Sequence, residues 1–312
     1  MTSNHRPTIV AIIPSYNRAG TIERAVESVV GQTRAPDEIL VVDDGSTDDT
    51  VERLRRFEPE VRVLTIENSG AAVARNRGAD ATDAQWIAFL DSDDYWLPDH
   101  LERIERAIEA TDGAAAVYFD DTLRPSGGRD DASLFELASL TVDPPWVLVD
   151  DATEWMMRPR QPLMLQSSVI RRDDWTRVGG LWPVLRSRHD THVFLRLGIG
   201  HAMCAVAGAG CQMTDDDATG NRQMDAMGTT SRKYWHHTVE LYDDILERHG
   251  DQVSTDDRAT LARRLARGHL ALARHDLRRA PLRGIVSIGR AARADWRTAA
   301  GPILRRLPGG RA

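Results

Sequence analysis

The sequence predicts an α/β protein: a mostly parallel sheet with helices on both faces. Three observations carry that expectation. Short apolar runs recur along the first hundred residues. Each is followed by residues at helical spacing, so strand and helix alternate, and such chains cross over between parallel neighbours. Polar stretches containing acidic residues follow the second and fourth runs directly, where ligands bind beyond the carboxyl ends of strands.

The elements follow in order. Thr8–Pro14 reads as a buried strand. Thr21–Val30 places Ile22, Ala25, Val26, Val29 and Val30 on one helical face. Glu38–Val42 is a second strand, ending in Asp43, Asp44, Gly45 and Ser46. Ser46 to Asp49 has the form of a capping box and predicts a helix start there. Val61–Ile66 is a third strand, Ala71–Gly78 opens a helix of small residues, and Trp86–Leu90 is a fourth strand, stopping at Asp91, Ser92, Asp93 and Asp94. The middle is less regular. Ala114–Phe119 and Ser167–Ile170 read as strands, Asp173–Val178 and Asp190–Leu197 as helices, and 141–165 has no clear period. From 231 onward the pattern is helical only: Tyr234–His249, Asp256–Arg274 and weaker helices to Leu304.

Composition excludes several classes. With 41% hydrophobic and 28% charged residues, the chain can fill a core, which excludes a disordered protein. No apolar run approaches the ~20 residues of a membrane span. The N-terminus leads straight into a strand, without a signal-peptide pattern. Cys204 and Cys211 make neither a disulfide framework nor a metal pair; they read as small core residues in a reducing cytoplasm. Of 40 basic residues only Lys233 is lysine. Residues 258–312 hold 14 Arg and 2 Asp, a net of +12, which leaves −19 on the rest of a chain whose total is −7.

Hard divalent cations take oxygen ligands, so Asp91 and Asp93 after a strand can share an ion with a phosphate; a solvated acidic turn is the alternative. Asp44 can accept from a base N–H or a ribose hydroxyl, or cap a helix. Tyr16 offers a stacking face and Arg18 a phosphate partner. The segment from Asn68 through Gly70 begins a helix, whose N-terminus favours anions.

Together these segments resemble the family-2 glycosyltransferases of the GT-A fold. The resemblance rests on five blocks in order. They are Pro14, Ser15, Tyr16, Asn17 and Arg18; Val42 to Asp48; Asn68 to Gly70 with Ala74, Arg75, Asn76 and Gly78; Phe89 to Asp94 with Pro98; and a later block of Val169 to Arg172, Val178 to Leu181, and Asp190 before Phe194 to Leu197. It covers roughly residues 7–215 and implies a GT-A domain at 1–228, with a nucleotide-sugar donor half (7–120) and an acceptor and catalytic half (121–228). A basic C-terminal helical region follows at 229–312.

The resemblance implies nucleotide contacts from Pro14, Ser15, Tyr16, Asn17, Arg18, Asp44, Gly70, Arg75, Asp91 and Ser92. Tyr16 stacks on the base and Asp44 bonds to it. Asp91 and Asp93 form a DxD-type element that holds a diphosphate through Mn2+ or Mg2+, Asp93 being the direct ligand. Asp190 is the general base of an inverting single displacement. Trp182, Gly180 and His189 fall in the acceptor region. The implied partners are a nucleotide-sugar, a UDP-sugar first, and a sugar, lipid-linked or small-molecule acceptor, in polysaccharide or glycoconjugate synthesis.

His189 departs from the pattern, which has an acidic residue there. It faces solvent, tunes Asp190, or itself acts as base. The stretch Asp215, Asp216 and Asp217 either contributes to the site or forms an exposed loop. Trp146, Trp155 and Trp182 are core residues or sugar contacts. No G-x-G-x-x-G follows the first strand, which excludes a dinucleotide-dependent dehydrogenase. The acidic body argues against nucleic acid. A catalytically silent relative serving in binding or assembly is the competing reading. The basic helices pack on the body, pair in a homodimer, or touch a membrane peripherally, so the expected location is cytoplasmic, free or at the membrane.

Overall fold

The computed structural model describes residues 6–125, 131–214, 231–277 and 279–304. Asp215, Asp216 and Asp217 lie outside them. The chain divides into two compact units, Met1–Pro183 with His189–Ala218, and Val184–Arg188 with Thr219–Ala312.

The first unit begins with β1 (Ile9–Ser15), α1 (Ile22–Val30), β2 (Glu38–Asp43), α2 (Thr50–Leu54), β3 (Val61–Thr65), α3 (Ala71–Asp80) and β4 (Trp86–Phe89). Then come β5 (Tyr95–Trp96), α4 (His100–Ala110), β6 (Val117–Arg124), β7 (Ala132–Ser133), α5 (Leu134–Leu137), β8 (Trp146–Val149) and α6 (Thr153–Met157). It ends with β9 (Ser168–Arg171), α7 (Arg172–Val178), α8 (His189–Gly198) and β10 (Met203–Gln212).

The main path of the sheet runs β3-β2-β1-β4-β9-β6-β10-β5. The expected parallel order holds for β3-β2-β1-β4, and β6 is parallel to β10. Strand β9 is antiparallel to both its neighbours, and β5 and β8 are antiparallel to β10, so the whole sheet is mixed rather than mostly parallel. Strand direction depends on which distant segment a strand pairs with, and local pattern does not encode that.

Every residue of β1 is buried, as a strand covered on both faces requires. Alternation sorts its side chains. Ile9, Ala11 and Ile13 join a core with Ile22, Val26 and Val29 of α1 and Leu101 and Ile104 of α4. Ile12 and Val42 face the other way, onto α3, where a Cβ on Gly78 would stand 2.5 Å from Ile12 Cγ2 and 3.1 Å from Val42 Cγ2. Gly78 therefore sets how closely α3 approaches the sheet.

Local pattern and structure part at three places. The Ser46–Asp49 capping box does not form: α2 starts at Thr50, and Ser46 Oγ instead accepts from Asn17 N–H at 2.9 Å. The irregular stretch 141–165 contains β8 and α6. Met203–Gln212, rich in Ala, Gly and Cys, is a long strand whose register slips twice. It lacks the β-branched alternation that marks strands.

In the second unit, α9 (Arg232–His249), α10 (Thr255–Asp276), α11 (Pro281–Ala294) and α12 (Trp296–Leu304) follow in sequence. Ser231 and Ser254 cap α9 and α10 by accepting from Tyr234 and Asp257 N–H, and Pro281 sits at the first helical position of α11. Leu261, Leu265 and Leu272 of α10 are buried, and Gly268 allows close approach to Val239 and Thr238. Arg232 clasps Asp276 at 2.7 and 3.0 Å. Among the described residues no helix is long and apolar enough to cross a membrane.

Two outcomes test this packing. Gly78→Ala overpacks the α3–sheet contact and should lower stability by about 1–3 kcal/mol in denaturant unfolding. Cys204 and Cys211 are fully buried; burial pushes Cys204 up to about 12 and Cys211 well above the usual thiol range. Neither thiol should react with a disulfide reagent at pH 8 until denaturant is added, when both should titrate.

Candidate active site

Parallel pairing brings the carboxyl ends of β1, β2 and β4 to one edge: Ser15 lies beside Asp43, and Leu90 N–H donates to Ile12 O. The turns that follow are tied to one another. Pro14 and Ser15 are buried strand residues that position the turn. Asn17, at φ +51°, accepts from Thr47 N–H at 2.8 Å. Arg18 N–H donates to Thr50 Oγ1 at 2.8 Å, and Ala19 N–H to Asp48 Oδ2 at 3.1 Å. Burial pushes the Asp48 carboxyl up, but donors from Thr50 and Ala19 outweigh it and hold the group below the ordinary carboxylate value. Tyr16 stands 43% exposed at the edge, its ring open for stacking.

Asp44 is 4% exposed, and both its oxygens are engaged: Oδ1 accepts from Ser69 N–H at 2.7 Å and Oδ2 from Gly70 N–H at 2.8 Å. The carboxylate thus holds the start of α3, where Gly70 takes φ +96°. Each oxygen retains a second acceptor direction.

The acidic turn after β4 brings Asp91, Asp93 and Asp94 together, with one oxygen from each within 4.8 Å of the others. Their environments differ. Asp94 is 2% exposed; Oδ1 accepts from Thr214 N–H at 3.1 Å and Oδ2 from Gln166 Nε2 at 3.2 Å. Asp91 and Asp93 are more open and face arginines: Arg75 Nη2 donates to Asp91, and Arg18 Nη2 lies 3.6 Å from Asp93 Oδ2. Ser92 between them is buried. An all-oxygen donor set of this kind could hold a hard divalent cation; Asp91 and Asp93 are its more open carboxylates, and Asp94 anchors the turn.

Arg75 links this turn to the second half of the unit. It is 5% exposed, and Nη1 stands 3.5 Å from His189 Nε2. His189 is therefore buried against a guanidinium rather than solvent-facing. Asp190, half-buried in the first turn of α8, accepts from Thr191 N–H at 2.7 Å. The contact through Arg75 puts the N-terminal turn of α8 next to the acidic turn.

Gly180 has a clear packing reason. At φ +64° its Cβ would meet Asn76 Oδ1 at 2.7 Å, and Asn76 clamps Leu181 through both backbone groups at 2.8 and 2.9 Å. Trp182 packs against His192, the rings tilted and their centroids 5.4 Å apart. Trp155 is core, edge-on to Phe119, while Trp146 on β8 is half-buried.

Several supporting residues carry no motif. Arg24 Nη2 donates to Asp93 O and to Thr214 Oγ1, both at 3.0 Å, and its guanidinium lies over Tyr95. Gln166 O accepts from Trp96 Nε1 at 2.7 Å, and the Trp96 ring packs tilted against His100. His100 and Arg103 both reach Asp120 Oδ2, at 2.8 and 2.9 Å; burial pushes that carboxyl up despite both partners. The only signal for these residues in the sequence was polar type inside apolar segments.

The comparisons with known proteins agree with this geometry. The model for Glycosyl transferase family 2 matches residues 10–159. The succinoglycan biosynthesis protein ExoO of Rhizobium meliloti is 40% identical over 119 residues, covering 38% of this chain and 33% of ExoO. The chain spans about half the length of the curated relatives it matches. In fold it is similar to Staphylococcus aureus TarS 1–349 in complex with UDP-GlcNAc, with a TM-score of 0.63, 16% identity, and coverage of 94% of this chain and 92% of that one. It is also similar to the mannosyltransferase PcManGT of Pyrobaculum calidifontis in complex with GDP-Man and Mn2+, with a TM-score of 0.58, 18% identity, and coverage of 99% and 83%. Residues 10–159 thus match glycosyl transferase family 2, and the chain has the GT-A fold.

Proposed function

We propose that this chain transfers a sugar from a nucleoside diphosphate donor, a UDP-sugar first, to an acceptor hydroxyl with inversion. The observation that carries the proposal is that Arg75 reaches both Asp91 of the acidic turn and His189, next to Asp190 at the start of α8, while Tyr16 stands exposed where β1 ends. The names of the structural neighbours support a nucleotide-sugar donor, since TarS was solved with UDP-GlcNAc and PcManGT with GDP-Man.

The division of labour follows from the chemistry of each group. Tyr16 stacks on the base, and Asp44 offers it an acceptor. Arg75 and Arg18 lie beside Asp91 and Asp93, where a diphosphate binds. A divalent ion held by Asp91 and Asp93 supplies charge neutralisation for the leaving diphosphate. Asp190 takes the acceptor hydroxyl proton as the oxygen attacks the anomeric carbon, which develops oxocarbenium character. The C–O bond to the diphosphate breaks as the new glycosidic bond forms, so the configuration inverts without a covalent enzyme intermediate. His189 orients Arg75 and sits beside the base, a positioning role.

Two variants test the assignments. Asp190→Asn should keep donor affinity, measured by calorimetry with a UDP-sugar, while turnover falls ~10²–10⁴-fold. A larger loss from His189→Ala than from Asp190→Asn moves the base to His189. Asp93→Asn should reduce turnover by orders of magnitude, and a chelator should silence the wild type until Mn2+ or Mg2+ is restored. Near-normal turnover of Asp93→Asn at saturating donor removes Asp93 from the ion site.

A further inference from the structure

Helix α11 carries its bulky side chains on the wrong side for a helix that only packs in a bundle. Gly284 and Ala291, one heptad apart, are buried, and Gly284 lies against Leu277. Leu282, Ile285 and Val286 are 80, 59 and 53% exposed, and Ile288 is also exposed. Leu282, Ile285, Val286 and Gly289 follow i, i+3, i+4, i+7 spacing, which makes one continuous face. Scattered exposed apolar residues need no explanation, but a contiguous face does. Arg283 and Arg290 border one side of this face and Arg293 continues its line toward the end of the helix, and all three are exposed.

The same helical unit carries a second, independent feature. A groove of about 600 Å³ between α10 and the start of α12 is lined by Arg263, Arg267, Arg274 and Arg297. The one acidic residue in its wall, Asp295, has its carboxylate engaged by the Arg297 and Thr298 N–H groups and by Thr298 Oγ1. Trp296, 62% exposed, stands in the same wall, with Arg297 over its ring. Exposed bulky aliphatics bordered by arginines, a tryptophan and a cationic groove are the side-chain types that suit an anionic bilayer surface.

We infer that the exposed face of α11 and the arginine-lined groove of the same helical unit dock this chain on an anionic lipid surface. Charge argues against a second copy on this face. A two-fold pairing brings Arg283, Arg290 and Arg293 of both chains together, and like charges there repel. The buried leucines of α10 pack within the helical unit, so the lipid-facing role falls to α11 alone.

The test is co-sedimentation of the full chain with phosphatidylcholine vesicles, with and without 30 mol% phosphatidylglycerol, at low and high salt. The expected result is binding only to the anionic vesicles, reduced at least tenfold by 0.5 M NaCl. Leu282→Ser/Ile285→Ser/Val286→Ser changes only exposed positions and should abolish pelleting with an unchanged circular dichroism spectrum. Arg283→Gln/Arg290→Gln/Arg293→Gln should remove the preference for phosphatidylglycerol. No pelleting of the wild type overturns the inference, as does equal pelleting of wild type and the serine variant. Self-association seen by light scattering and lost in the serine variant, without vesicle binding, assigns the face to a second copy instead.

Discussion

Strand β1 has a parallel neighbour on each side, and the candidate site exists because of that pairing. Register with β2 brings Ser15 level with Asp43, and register with β4 brings Ile12 level with Phe89. All three chains then leave the sheet at the same edge, and their next residues have nowhere to go but into one shared turn region. Burial on both faces pins the register, because a one-residue slip turns every core side chain of β1 to the opposite face. The ridge of Ile12 and Val42 against Gly78 fixes α3 on the same frame, and α3 carries Arg75 to the acidic turn.

The polar groups at the edge divide into those that build it and those that remain directed outward. Asp43 and Asp94 spend their oxygens on backbone or side-chain donors nearby. Buried carboxylates need such partners, since an unpaired charge in the interior is costly. Asp91, Asp93, Tyr16 and Asp190 are more accessible. A rigid inner ring thus holds an outer ring of chemically useful groups. Asp44 belongs to both: its position at the edge suits ligand contact, yet its two hydrogen bonds to Ser69 and Gly70 are structural.

Charge is separated along the sequence, and the helical region carries most of the positive excess. Within it, α10 buries its leucines while α11 buries glycine and alanine and leaves its aliphatics outside. The same apparent amphipathicity therefore has two different structural outcomes. Periodicity identifies an apolar face, but whether another helix covers it depends on which face the chain turns inward at the preceding connection.

The sequence by itself determined the parallel core and most of the candidate site. Continuous apolar runs ending in polar turns mark β1, β2 and β4, because a doubly covered strand has to be apolar and its end has to be polar. The motifs placed Tyr16, Asp44, Asp91, Asp93 and Asp190 at element ends for the same reason, and the long helices α9 and α10 were legible from their spacing. Tertiary structure alone decided the rest. It reversed β9, made a strand of the small-residue run Met203–Gln212, moved Ser46 from a helix cap to Asn17, and buried His189 against Arg75. It also recruited Arg24, Gln166 and Thr214 to hold the acidic turn. Each of these depends on a partner tens of residues away in the chain. Local pattern reports how a segment hides apolar surface from water, but not which distant donor meets which acceptor.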